Sequence, residues 1–211
     1  MTTTSQPGEV FKTDVGVLAV VARAIATTRG CMQATVEGVG EVWIDASTRR
    51  YVANVADWSA FGLAPTARVR VAVASMPADA SQRDLAELQW TLAYWASAGR
   101  LPAGVGQHTV IKLSHWPNLS RLPHSPEMYR LCALLARRPS SIRLASRLVG
   151  VDEPEMFRFF SAAHACGAIE ILAQVEESST FDAEFEAKSA PLSETSLTSM
   201  VKLLWAKMTG R

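Results

Sequence analysis

The side chains whose chemistry is easiest to recognise are four histidines and three cysteines. They stand at His108, His115, His124 and His164 and at Cys31, Cys132 and Cys166. Zinc sites bring such residues together at short spacings, as in CxxC pairs or histidines three to five residues apart. None of the seven has that spacing. We therefore expect no metal site and no cofactor, and we interpret the cysteines as buried thiols within apolar segments.

Motifs of nucleotide binding and hydrolysis are also missing. The sequence contains no GxxxxGK[ST], no GxGxxG after a strand, no HExxH and no GxSxG, so it predicts a protein that is not an enzyme. One partial motif remains: Asp57-Trp58-Ser59-Ala60-Phe61-Gly62 resembles the D-x-S-x-x-G half of the signature of the cyclic-di-GMP-binding PilZ family. The arginine half lacks a usable match, since Arg23 and Arg29 stand too far apart on a predicted helix. A cyclic-dinucleotide-sensing domain is one alternative, and a turn or helix cap at Asp57 is the other.

Arginines are concentrated in the middle of a chain that is otherwise balanced, with 21 Lys+Arg against 20 Asp+Glu. Residues 99–173 carry 9 basic and 5 acidic residues, a net charge of +4. Four arginines cluster on and before one predicted helix: Arg137, Arg138, Arg143 and Arg147. A guanidinium group binds carboxylates in a bidentate fork. The cluster indicates a dock for an acidic protein surface, either of a partner or of residues 176–186 of this chain; a solvated helix face is the alternative.

A second candidate interaction element lies at the C-terminus, in residues 194–211, after an acidic stretch (174–193) that we interpret as a flexible linker. Six apolar residues follow helical spacing there: Leu197, Met200, Val201, Leu204, Trp205 and Met208. A lone helix of this length needs a surface to hold it. We expect this amphipathic helix to bind a partner protein or a second copy in a homodimer, and docking within the chain is the alternative.

The residues before the arginine cluster predict a small α+β domain over 1–100. A helix is expected at 14–30 and an amphipathic helix at 81–100. Four strands of an antiparallel sheet are expected at 31–37, 41–45, 49–55 and 67–75. In the last of these, Val69, Val71 and Val73 lie on one face and Arg68 and Arg70 on the other.

A Gly- and Pro-rich junction, 101–125, should then lead to a helical domain at 126–173. The junction contains one short strand near 109–113. Trp90, Trp95 and Trp116 flank or occupy it and are candidates for an interface between the two domains, because aromatic side chains bury large areas.

The order helix, helix, glycine turn, helix, strand in residues 126–172 resembles a winged helix-turn-helix. In particular, the spacing in "ALLARRP" and "LASRLVGVDEPEMFRFFSAAHACGAIEI" is similar to the C-terminal helical module of PATAN-type bacterial regulators, a family associated with response regulators and surface motility. The resemblance implies a regulatory protein and a core made by Ile142, Leu144, Leu148, Met156, Phe160 and Ala163. It also implies that the third helix turns outward Glu155, Arg158, Phe159, Ala162 and Ala165.

The third helix has the wrong charges for reading DNA. It opens with Asp152, Glu153 and Glu155, in a spacing that also resembles a capping box. Phosphates supply most DNA affinity, and only Arg158 has a type suited to base edges. We therefore expect a regulatory adaptor whose winged helix binds protein, with Arg158 among the contacts; a DNA-binding transcriptional regulator is the alternative.

The sequence shows no sign of a membrane or secreted protein. The longest uncharged apolar run, 15–22, is too short to cross a bilayer. The first residues lack the basic region of a signal peptide. We expect a cytoplasmic location.

Overall fold

The computed structural model describes residues 11–28 and 30–174. Those residues form helices together with two antiparallel sheets, so the predicted α+β class is confirmed. The predicted linker from residue 175 onward and the predicted C-terminal helix lie outside the described residues, as does most of the N-terminal tail. None of the helices in the described part is long and apolar enough to cross a membrane.

The first sheet has five strands, and helix α1 precedes it in the chain. Along the chain come α1 (Gly16–Thr27), β1 (Cys31–Val36), β2 (Gly40–Asp45), β3 (Arg50–Val55), α2 (Trp58–Gly62), β4 (Val69–Val73), β5 (Arg83–Asp84) and α3 (Leu85–Ser97). The strand order is β4-β1-β2-β3-β5, with every neighbouring pair antiparallel. The close pairing of β2 with β3 needs glycine at position 40, where a Cβ would lie 2.6 Å from the carbonyl oxygen of Asn54.

The second sheet is small and belongs to the helical half of the chain. It consists of β6 (Val110–Leu113), β7 (Ser140–Ser141) and β8 (Ile169–Ala173), in the order β7-β6-β8. Three helices accompany it: α4 (Glu127–Arg137), α5 (Ile142–Val149) and α6 (Glu153–Ala165). The central strand, β6, comes from the predicted junction, so that junction is integrated into the helical half.

Helix α3 is shared by two hydrophobic clusters. In the first cluster, Leu85, Leu88 and Leu92 pack with the first sheet and α1. In the second cluster, Trp90 and Tyr94, on another side of α3, pack with α4, α5 and α6. Trp90 is fully buried, donates its indole N–H to the carbonyl oxygen of Pro123 at 3.0 Å and meets the Phe159 ring edge-on. Because α3 contributes residues to both clusters, it connects the first sheet to the helical half of the chain.

The prediction that Trp116 belongs to an interface between the two halves is wrong. This residue is 54% exposed, while Trp90 is buried and Trp95 partly buried against the second cluster. Leu119, three residues further on, occupies the core instead. The loop around Trp116 is thus anchored through a leucine, and the tryptophan stays at the surface.

The predicted facing of α5 and α6 also needs correction. Leu144 and Leu148, expected in the core, are 47% and 51% exposed. Phe159 and Ala162, expected outward, are completely buried, and Glu155 is nearly so. The facing of α6 differs because α3 packs along the side of α6 that a free winged helix would leave open. Ile142, Met156, Phe160 and Ala163 are buried as expected.

Candidate protein-docking surface on helix α5

Helix α6 is the element that a DNA-binding winged helix would insert into a groove, and here it is buried on two sides. Met156, Phe159, Phe160 and Ala162 are all buried in the second cluster, and Phe159 meets Trp90 of α3 edge-on. A base-reading helix must expose polar side chains along one face. The corresponding face of α6 is occupied by the protein itself.

Of the acids at the start of α6, Glu155 has a structural role. One carboxylate oxygen accepts a hydrogen bond from the Tyr94 hydroxyl at 2.9 Å, and the other accepts one from Arg158 Nη1 at 3.0 Å. The Arg158 guanidinium also lies over the Tyr94 ring, 5.9 Å from its centre. Burial is the main cause that raises the pKa of the Tyr94 hydroxyl above its ordinary value, and the hydrogen bond to Glu155 raises it further. Glu155 therefore joins α6 to α3.

The expected capping box does not form. Asp152 precedes α6 in extended conformation, but its side chain accepts no capping hydrogen bond. Glu155 cannot reach back to Asp152 because Tyr94 and Arg158 hold its carboxylate. Arg158 is half-buried and ion-paired with Glu155, whereas Arg137, Arg138 and Arg147 are exposed.

Helix α5 is short and firmly fixed at both ends. The hydroxyl of Ser141 accepts a bond from the Leu144 N–H at 3.2 Å, which caps the first turn. At the other end Gly150 adopts the left-handed conformation, with φ of 74°. The Ser146 hydroxyl then donates to the carbonyl oxygen of Val151 at 2.7 Å. These contacts hold α5 against the core through Ile142 and Ala145, which are buried.

The outward side of α5 combines apolar and cationic side chains. Leu144 and Leu148 stand one turn apart, and Arg147 lies between them on the same face of the helix. Arg143 and Arg147 form the adjacent row, also one turn apart. We call these four residues, Arg143, Leu144, Arg147 and Leu148, the α5 surface. Sequence reasoning found its arginines but assigned its leucines to the core, because the amphipathic spacing does not show which side of α5 the core covers.

A groove of about 200 Å³ adjoins the α5 surface. Its walls include Arg143 and Arg147 from α5, Glu153 and Phe157 from α6, and Gln107 from the loop before β6. The carbonyl oxygen of Gln107 accepts the Arg143 N–H at 2.9 Å, which fixes that loop against the first turn of α5. Two guanidinium groups beside a fixed groove can bind carboxylates, and Glu153 limits the net positive charge there.

Arg137 and Arg138 lie at the end of α4, where both are exposed. They do not line the groove, although Ser140 and Ser141, which follow shortly after, lead directly into α5. The structure thus brings together two of the five arginines predicted to bind a partner. The predicted apolar contacts Leu197, Met200, Val201, Leu204, Trp205 and Met208 lie outside the described residues.

Asp57 and Gly62, which begin and end the half-motif at 57–62, both take part in the local structure. Asp57 caps α2, accepting the N–H groups of Ser59 and Ala60 at 2.8 and 3.0 Å. Gly62 allows α2 to approach α3, since a Cβ there would lie 2.6 Å from Trp95 Cβ. The capping role of Asp57 and the packing role of Gly62 therefore account for the spacing of the two residues.

Of the three cysteines expected to be buried thiols, Cys132 is buried, whereas Cys31 and Cys166 are only partly buried. Burial raises the pKa of the Cys132 thiol to about 12 and also raises the pKa values of Cys31 and Cys166. A thiol with a raised pKa is a poor nucleophile because the thiolate is the reactive form. Within residues 11–28 and 30–174, no group of three or more His, Cys, Asp or Glu side chains is placed to hold a metal ion.

Comparisons with protein-family models, curated proteins and solved structures give no match to this chain, so the resemblance to the PATAN-type module stays a prediction.

Proposed function

We propose that this protein is a non-catalytic, cytoplasmic regulatory adaptor that binds an acidic, amphipathic segment of a partner protein on the α5 surface. The observation that carries this proposal is the pair of exposed leucines, Leu144 and Leu148, beside Arg143 and Arg147 on a rigidly capped helix. A partner helix with leucines and carboxylates on one face would satisfy both kinds of side chain.

The leucines would supply much of the affinity. Each is about half exposed, so covering one of these leucines removes enough apolar area to contribute about 2 kcal/mol to the binding free energy, at roughly 25 cal/mol per Å². The arginines would contribute mainly to specificity and to the rate of association, since charges at the rim of an interface add little net free energy. Such a surface suits reversible binding in the micromolar range.

DNA binding by the same winged helix is the competing function. The proposal is favoured over it by the burial of Phe159 and Ala162 beneath α3 and by the engagement of Glu155 and Arg158 with each other. A groove-binding α6 would require α3 to leave, which would expose Trp90 and Tyr94.

Binding of defined peptides tests the proposal directly. The probe is a fluorescent helical peptide with leucines and glutamates on one face, and its counterpart has glutamine in place of glutamate. We expect the full-length protein to bind the acidic peptide and to lose about tenfold in affinity on Leu148→Ala, in line with the estimated area. The matched control is Leu63→Ala, since Leu63 is 52% exposed and lies at the end of α2. Equal association rates for the two peptides, or equal loss of affinity in both variants, would contradict the proposal.

A second experiment separates protein binding from DNA binding. Titration of mixed-sequence duplex DNA should show only weak association that disappears at physiological salt. Selection from a random oligonucleotide pool should enrich no defined site. Enrichment of one sequence, with loss on Arg158→Gln, would establish the competing function.

A further inference from the structure

Strand β4 forms an edge of the first sheet and carries exposed valines. It pairs with β1 on one side, and in the described part of the chain no strand pairs with its other side. Val71 is 43% exposed and Val73 is 89% exposed. Edge strands are usually protected by charges, proline or covering elements, because an apolar edge is a template for pairing with another chain.

The exposed valines lie on the core face of the sheet. Val69, Val71 and Val73 stand opposite Val36, Ala34 and Met32 of β1. Cross-strand partners project to the same face, and the three β1 residues are all buried in the first cluster. The apolar face of the sheet therefore continues past the last covered strand and ends at an open edge.

The backbone of the same residues is directed outward. The N–H of Ala74 donates to the carbonyl oxygen of Cys31 at 3.2 Å, so residues of even number in β4 direct their hydrogen-bonding groups toward β1. In an antiparallel ladder these groups alternate sides along the strand. The N–H and C=O groups of Val69, Val71 and Val73 consequently point away from the sheet.

We propose that β4 pairs antiparallel with β4 of a second copy of this chain, with the two-fold axis at Val71. In this register Val71 lies opposite Val71 of the second copy, and Val69 lies opposite Val73. All three outward residues then exchange backbone hydrogen bonds, and the two sheets become one continuous sheet of ten strands. The interface is isologous, because the same strand serves both partners.

Charge selects this register. Arg70 projects to the opposite face of the sheet from the valines and pairs only with Glu37 at 3.4 Å among the ion pairs of the described residues, with both side chains highly exposed. An axis at Val71 places Arg70 opposite Ala72 of the second copy. An axis at Arg70 would place two arginines directly opposite each other, which is destabilising. An axis at Ala72 would leave Val69 without a partner inside the strand.

Self-complementarity favours a second copy over an unrelated strand. The sequence Val-Arg-Val-Ala-Val is complementary to its own reversed copy in this register, with valine against valine and arginine against alanine. No additional acidic partner is needed. This pairing does not depend on the α5 surface, so either inference can fail alone.

Site-directed disulfide formation tests both the interface and its register in the full-length protein. In Val71→Cys the two new thiols would face each other at a separation that a disulfide can bridge. In Val73→Cys they would lie four residues apart along the strand, roughly 13 Å, which is too far. We expect mild oxidation to give a covalent dimer of Val71→Cys at least tenfold faster than of Val73→Cys, with the wild-type protein as the control for its own cysteines.

Sedimentation equilibrium provides the second measurement. The wild-type protein should be dimeric at tens of micromolar, and Val71→Arg, which opposes two arginines at the axis, should be monomeric. Leu63→Arg is the matched control, at a similarly exposed residue that follows α2 and is not part of β4. A monomeric wild-type protein, an equal yield of disulfide at both positions, or a dimer that persists in Val71→Arg would overturn the proposal. The disulfide comparison remains decisive should Val71→Arg fail to fold.

Discussion

The bond between Tyr94 and Glu155 provides a sharp test of how α3 and α6 are joined. The perturbations are Tyr94→Phe, Glu155→Gln and the two combined. Tyr94→Phe removes one hydroxyl from a residue that is 8% exposed and leaves the ring in place. Glu155→Gln keeps the shape of the side chain but removes the charge that both Tyr94 and Arg158 contact.

The expected magnitude follows from the type of bond. A hydrogen bond to a charged group contributes about 1.5–3 kcal/mol to stability. We expect Tyr94→Phe to lower the free energy of unfolding by about 2 kcal/mol, because Glu155 then keeps only Arg158. The double variant should show a coupling of about 1–2 kcal/mol between the two positions. In a protein of this size each kcal/mol lowers Tm by roughly 2–4 °C.

The assay is urea unfolding followed by tryptophan fluorescence, since Trp90 is buried beside this contact. Tyr129→Phe is the control, because Tyr129 is 45% exposed and its loss should cost less than about 0.5 kcal/mol. A Tyr94→Phe variant as stable as that control, or additive effects in the double variant, would refute the assignment of Glu155 as the link between α3 and α6.

The same bond predicts a dependence on pH. The Tyr94 hydroxyl must keep its proton to donate, and in the folded state burial raises its pKa above the unfolded value of about 10. The folded state therefore holds this proton more tightly. The contribution to stability is complete below about pH 10 and falls as pH rises above it. Tyr94→Phe should reduce this alkaline loss, measured as the difference in unfolding free energy between pH 8 and pH 10.5.

Three further outcomes follow from individual residues. Leu148→Ala should change stability by less than about 1 kcal/mol, whereas Phe159→Ala should cost about 3–5 kcal/mol, as measured by urea unfolding; the reverse order would restore the facing expected from sequence. Cys132 should resist a thiol reagent at pH 8 until the protein unfolds, as read by mass spectrometry of the labelled chain; fast labelling of the folded protein would contradict its burial. Gly62→Ala should destabilise by more than 1 kcal/mol, because its Cβ would press on Trp95, and a neutral effect in thermal unfolding would show that α2 can move away.

Local pattern was sufficient to predict the class of the fold and most of its elements. Alternation predicted β4, and the serine before α5 and the glycine after it marked both ends of that helix. These features depend on interactions within a few residues. They therefore leave a direct trace in the sequence.

The facing of α5 and α6 could not be obtained in the same way. Helical spacing identifies which residues share a side, but a helix with apolar residues on two sides does not show which neighbour covers each of them. In α6 the second side is covered by α3, about sixty residues earlier in the chain. The burial of Phe159 is the consequence of that one long-range contact, since its ring meets Trp90 of α3 edge-on.

The burial of α6 also changes what the acids at its start imply. Considered as part of a helix open to solvent, Glu155 argues against DNA through repulsion of phosphate. In the structure its carboxylate instead satisfies the buried Tyr94 hydroxyl and the half-buried Arg158 guanidinium, and it is not offered to solvent. The stronger argument against groove binding is therefore steric, because α3 covers the required face. A contact surface is therefore expected on α5, where Leu144, Arg147 and Leu148 are exposed side by side.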